Sequence, residues 1–193
     1  MNISALSRAD LVSELLSPLL SPSGPNPLHV SDSVVPMLMS DTSDAALAHR
    51  LDVARELLLR NLREQMRNGP VMSSPQILSD WLRLYCANLE HEVFLAIYLD
   101  CQNQLIDTEE LFRGSLTQTS VYPREVVKGA LARNAAAMAI AHNHPSGKAE
   151  PSRADELLTQ TLKSALSLVD VRIIDHFVVA GDQVISFAER GLI

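Results

Sequence analysis

The sequence predicts an α/β fold: a mixed central β-sheet flanked by helices and preceded by a small helical N-terminal region. Three observations predict it. Residues 93–99, Val-Phe-Leu-Ala-Ile-Tyr-Leu, form an unbroken apolar run of strand length, as expected of a strand buried on both faces. From Glu92 onward strand-like and helix-like patterns alternate, which marks a layered α/β unit. Before that point leucines recur at three- and four-residue spacing, the period of an amphipathic helix.

The elements follow in order. Ser7 is placed to cap a short helix over 7–20, with Leu11, Leu15, Leu16 and Leu19 as its apolar stripe. Residues 20–27 hold three prolines and a glycine and read as a loop or linker; residues 28–39 carry no clear pattern. Asp41 to Asp44 offer N-caps for a long helix over 44–67, with Leu47, Leu51, Ala54, Leu57, Leu58 and Leu62 on one side. Asn68-Gly69-Pro70 stops it, which sets the expected division into a helical region, 1–70, and a main domain, 71–193. Ser74-Pro75 opens a further helix to about Leu89.

After the apolar strand, Gln104 to Thr108 is its expected hairpin partner across the turn 100–103, and a short third strand is expected near 112–116. Pro123 suits the first turn of a helix running to 133–137, with Val126, Val127, Ala130 and Leu131 on one face. Residues 136–141 are ambiguous: alanine favours helix, yet a strand is needed to present alternate histidines. A helix over 152–168, a strand over 171–180 and a last strand over 183–187 complete the order β-β-β-α-β-α-β-β.

Composition narrows the class. The chain has 193 residues, is 47% hydrophobic and carries a net charge of −7. Residues 1–90 hold 7 basic and 10 acidic side chains, against 9 and 13 in 91–193, so neither half is a basic nucleic-acid module. No apolar run reaches the roughly 18 residues of a membrane span. The N-terminus does not read as a signal peptide, and a cytoplasmic location without membrane association is expected. Cys86 and Cys101 are too few for a disulfide framework and read as buried thiols. Arg50, Arg55, Arg60, Arg63 and Arg67 form the best candidate phosphate-contacting face; interleaved Asp52, Glu56 and Glu64 favour a solvated helix face instead.

The chemistry is concentrated in residues 141–155, Ala-His-Asn-His-Pro-Ser-Gly-Lys-Ala-Glu-Pro-Ser-Arg-Ala-Asp. At the end of a strand, His142 and His144 point to one face with Cα atoms about 7 Å apart, a spacing from which two imidazoles converge on one ion. Asp155, from the first turn of the next helix, supplies a third ligand. Three protein ligands leave the fourth position of a tetrahedral zinc for water, as hydrolytic chemistry requires. Glu92 is the best candidate for the acid/base, with Glu90 as its rival, and Ser152 can donate to a developing oxyanion. Taken alone, Ser152-x-x-Asp155 reads first as a helix capping box, and the cap and metal roles can coexist at Ser152. His176, in a strand, reads as a core histidine or one behind the metal ligands. His29, His49 and His91 have no partner at ligand spacing.

These residues resemble the signature of the JAB/MPN (JAMM) metalloenzymes: a distant Glu, then His-x-His, seven residues, Ser, two residues, Asp. Glu92, His142, His144, Ser152 and Asp155 match it without a gap. More narrowly, the chain is similar to the bacterial RadC family in His91-Glu92-Val93-Phe94, Tyr122-Pro123-Arg124-Glu125-Val126-Val127, His142-Asn143-His144-Pro145-Ser146-Gly147, Pro151-Ser152-Arg153-Ala154-Asp155, Asp175-His176 and Ser186-Phe187-Ala188-Glu189-Arg190-Gly191. The resemblance covers nearly everything from about residue 70. It implies a cytidine-deaminase-like JAB/MPN fold and a zinc-dependent peptidase or isopeptidase. In that reading His142, His144 and Asp155 bind Zn2+, Glu92 is the water-binding acid/base and Ser152 steadies the tetrahedral intermediate. The alternative is a DNA repair or mobile-element-associated protein that binds DNA or protein and uses zinc structurally. The family's usual DNA-binding module is a helix-hairpin-helix with a Gly-x-Gly hairpin. Before residue 114 this chain has only Gly24 and Gly69, and Ser40-Asp41-Thr42-Ser43-Asp44 stands where the hairpin belongs. The N-terminal region therefore reads as a degenerate remnant.

Overall fold

The structure is a computed structural model describing residues 2–17, 44–87, 89–114 and 121–193. The linker 20–27, the unpatterned stretch 28–39, Leu19, the caps at 41–43 and the expected strand residues 115 and 116 lie outside the described residues. The chain divides into two compact units, Met1–Asn61 and Leu62–Ile193.

In the first unit, Ser7 caps α1 (Arg8–Leu16) through a capping box with Asp10, so two otherwise orphaned N–H groups are satisfied reciprocally. Helix α2 (Asp44–Arg67) occupies the expected span, but its buried face is not the expected leucine stripe. Leu47, Leu51 and Leu58 are exposed, whereas Val53 and Leu59 are buried. The rotation follows from directional bonds. Arg50 donates to the carbonyls of Leu15 and Ser17, and Arg60 to those of Leu6 and Ser4, so the arginine-bearing face turns towards the N-terminal segment. Those two side chains thus spend donors on backbone carbonyls while staying partly exposed.

The second unit is a five-stranded sheet in the order β2-β1-β3-β4-β5: β1 (Val93–Leu99), β2 (Leu105–Arg113), β3 (Ala137–Asn143), β4 (Arg172–Ala180) and β5 (Gln183–Ser186). Only β3 and β4 are parallel, joined through a helix, so the sheet is mixed as expected. The expected third strand near 112–116 is not separate. A register shift between Phe94 and Leu95 lets β2 absorb an extra residue and stay paired with β1 to Arg113. Strand β1, between β2 and β3, is buried at all seven positions, as its unbroken apolar sequence requires. Residues 137–143 are strand despite their alanines, because burial between two neighbours overrides local propensity.

Helices α3 (Pro75–Cys86), α4 (Pro123–Ala132) and α5 (Arg153–Ser167) complete the unit. Phe94, Ala96, Tyr98, Met138 and Ile140 form a core with Val126 and Ala130 of α4 and Leu162 and Leu166 of α5. Leu131, expected on that face, is exposed at the end of α4. Gly129 of α4 crosses Tyr98 so closely that a Cβ would overlap the phenol oxygen. That hydroxyl donates to Glu109 at 2.7 Å, and the Arg133 guanidinium lies 4.4 Å from the ring centroid. Cys86 is buried as expected, but Cys101 sits exposed in the β1–β2 turn. Among the described residues, no helix is long and apolar enough to cross a membrane.

Candidate metal centre

The site forms where β3 ends and α5 begins. Along β1 and β3 side chains alternate, and Phe94 stands opposite His142. The Phe94 and His142 side chains share one side of the strands, and Glu92 and His144 follow just beyond the last paired residues. Helix α5 runs over that side with one buried stripe, Thr159, Leu162 and Leu166, and Asp155 heads the same stripe one turn earlier. The core stripe of the helix thus becomes polar where it meets the end of the strand.

His142, His144 and Asp155 come together, each offering one ligand atom within 4.8 Å of the others. The two imidazole Nε2 atoms are 2.9 Å apart. Asp155 Oδ1 is 3.2 Å from His142 Nε2, and Oδ2 is 3.7 Å from His144 Nε2. Ligand atoms of a tetrahedral zinc with bonds of 2.0–2.1 Å lie about 3.3 Å from one another, so these separations bracket what zinc needs. His144 Nδ1 is 2.6 Å from the Lys148 carbonyl, which can only accept; the ring's proton is therefore on Nδ1 and its Nε2 lone pair faces the cluster. The donor set fits a zinc ion.

Ser152 caps α5 in a full capping box. Its hydroxyl donates to Asp155 Oδ2 at 2.7 Å and accepts the Asp155 N–H at 3.2 Å, while its own N–H reaches the same Oδ2 at 2.7 Å. Burial opposes the charged form of Asp155, yet the His142 ring and the Ser152 hydrogen bonds outweigh it and hold the carboxyl well below the usual carboxylate range. Cap and cluster share one carboxylate.

Glu92 sits immediately before β1, partly buried, with its carbonyl bonded to the Gly114 N–H at 2.8 Å. Among the described residues it is not part of the three-residue cluster. What fixes its place is Asn143. That buried carboxamide accepts the Val93 N–H at 2.7 Å and donates to the His91 carbonyl at 3.0 Å, so it grips the backbone on both sides of Glu92. Glu90 is exposed and outside this grip.

His176 lies behind the cluster, one of the two places expected of it, and its link to Thr159 is what the sequence did not reveal. His176 Nε2 is 2.9 Å from His142 Nδ1, and His176 Nδ1 is 2.6 Å from the Thr159 hydroxyl. Burial, reinforced by the neighbouring His142, pushes the His176 imidazole well below its ordinary range. Thr159 had one available signal: a hydroxyl on the core stripe of α5, four residues after Asp155. A cleft of about 230 Å³ is lined by His144 with Cys86, Ala87, Leu89, Pro145 and Val179, among others, and by no other residue of the cluster.

A family described as "RadC-like JAB domain" matches residues 72–192. A UPF0758 protein of Leptothrix cholodnii is 61% identical over 143 residues, which are 74% of this chain and 64% of that protein. A UPF0758 protein of Dechloromonas aromatica is 60% identical over 149 residues, 77% of this chain and 66% of its own length. The chain thus spans just under two thirds of the curated relatives it matches.

Proposed function

The chain belongs to the family of RadC-like JAB domains, and from that premise we propose that it is a zinc-dependent hydrolase cleaving a peptide or isopeptide bond. The observation that carries this reading is the convergence of His142, His144 and Asp155 at the end of β3, beside an Asn143 that holds the backbone on both sides of Glu92.

His142, His144 and Asp155 would hold the ion, which when bound lowers the pKa of water from 15.7 towards about 7 and polarises a carbonyl. Glu92 then takes the proton of the attacking water and returns it to the leaving amine. Ser152 is the candidate donor to the oxyanion. Its only hydroxyl proton rests on Asp155 Oδ2, so donation to substrate requires exchanging that partner.

The test pairs metal analysis with a peptide-library cleavage assay. Wild type should bind about one zinc per chain and cleave; Glu92→Gln should keep the zinc and lose cleavage; His142→Ala should lose both. Full activity after removal of all metal would overturn the proposal.

A further inference from the structure

Two backbone carbonyls stand at the ends of the hydrogen-bond chain through the site, and they decide where its protons lie. Thr159, fully buried on α5, places its hydroxyl 2.6 Å from the Asp155 carbonyl one turn back. A carbonyl has no proton to give, so the single hydroxyl proton of Thr159 is used there. The same oxygen is 2.6 Å from His176 Nδ1, and with its proton engaged it can only accept. His176, enclosed between Phe94 and Phe187, therefore carries its proton on Nδ1 and accepts at Nε2. His142 Nδ1, 2.9 Å away, is the donor to that Nε2. The lone pair of His142 is left on Nε2, facing His144 Nε2 and Asp155 Oδ1.

We infer that Thr159 and His176 are positioning residues that set the tautomer of His142 and so deliver its Nε2 lone pair to the metal centre. The inference rests on the metal-binding reading of His142, His144 and Asp155. The chain closes on itself, because the carbonyl that orients Thr159 belongs to Asp155, whose carboxylate meets His142 on the far side. Two ligands from different elements are thereby linked twice, across the cluster and behind it. The opposite tautomer of His176 would donate from Nε2, drive the His142 proton onto its own Nε2 and block the site. On the other side the Lys148 carbonyl imposes the same orientation on His144. Partners behind the ligands of this kind typically change metal affinity about 10- to 100-fold when removed.

The experiment uses the full chain loaded with zinc. Long-range 1H–15N correlations of histidine-labelled protein read the tautomer of His176, and competition with a chelator reads zinc affinity. Wild type should show the His176 proton on Nδ1. Thr159→Val, which keeps the shape and removes the acceptor, should abolish that preference and weaken zinc binding about 10- to 100-fold; Thr159→Ser should restore both. A wild-type His176 protonated on Nε2 overturns the inference, and that reading needs no variant to fold. Unchanged zinc affinity in a folded Thr159→Val protein overturns it equally. A protein with the expected tautomer and affinities that cleaves no peptide would support the relay while removing the hydrolase proposal.

Discussion

Asn143 accepts the Val93 N–H through its side-chain oxygen at 2.7 Å and so ties the end of β3 to the first residue of β1. The same carboxamide donates to the His91 carbonyl, which makes Glu92 the middle residue of a clamped tripeptide. Replacement by Ala leaves two backbone groups without this partner, at about 1–3 kcal/mol each. We expect Asn143→Ala to retain zinc, to unfold at lower urea concentration, and to lose at least tenfold in turnover because Glu92 is no longer held. Zinc stoichiometry, a urea melt and cleavage rates on one preparation separate these effects.

Ser152→Ala removes a helix cap and a candidate oxyanion donor together, but the two losses differ in size. The cap is worth about 1 kcal/mol, whereas an oxyanion donor is worth about 100- to 1000-fold in turnover. The expected outcome is a small fall in melting temperature with a collapse of activity. A variant that loses stability alone would leave Ser152 as a cap only.

Tyr98 and Gly129 give a prediction remote from the chemistry. Gly129→Ala gains about 1 kcal/mol of helix propensity but pushes a methyl into the phenol oxygen. Overpacking of a filled core costs about 1–3 kcal/mol, so the single variant should be less stable than wild type. Tyr98→Phe removes the obstructing oxygen, and in that background Gly129→Ala should be neutral or stabilising. Denaturant melts of the four proteins of the cycle check it.

Bound metal should also stabilise the fold, because its ligands join β3 to α5. At free zinc 1,000-fold above the dissociation constant, binding to the native state alone adds about 4 kcal/mol. Chelation should lower the melting temperature of wild type and leave that of His142→Ala unchanged, as a calorimetric scan would show.

The sequence made the site legible to the extent that its spacing was local. His-x-His on a strand and Asp155 on the first turn of the next helix lie within fourteen residues, and periodicity alone places them on facing surfaces. Asn143 was visible as a residue but its partners were not, since pairing with Val93 depends on the register of two strands fifty residues apart. His176 reads as a core histidine or one behind the metal ligands, and it lies behind His142, but its link to Thr159 stays hidden until β4 is laid beside β3. On α2 the leucine periodicity pointed to the wrong face, because arginine bonds to backbone carbonyls leave no trace in an apolar pattern. Strand β2 was split in two for want of any signal for its bulge.

Every side chain of the metal centre and its hydrogen-bonded support comes from one β3–α5–β4 crossover, whereas Glu92 arrives from a strand laid down earlier in the chain. Descent can therefore treat them as separate inheritances. If Glu92 serves as proposed, a lineage that alters position 92 would keep the ligand set and the fold while losing the chemistry. Silent and working copies would be indistinguishable by overall shape, and the residue before β1 is where to tell them apart.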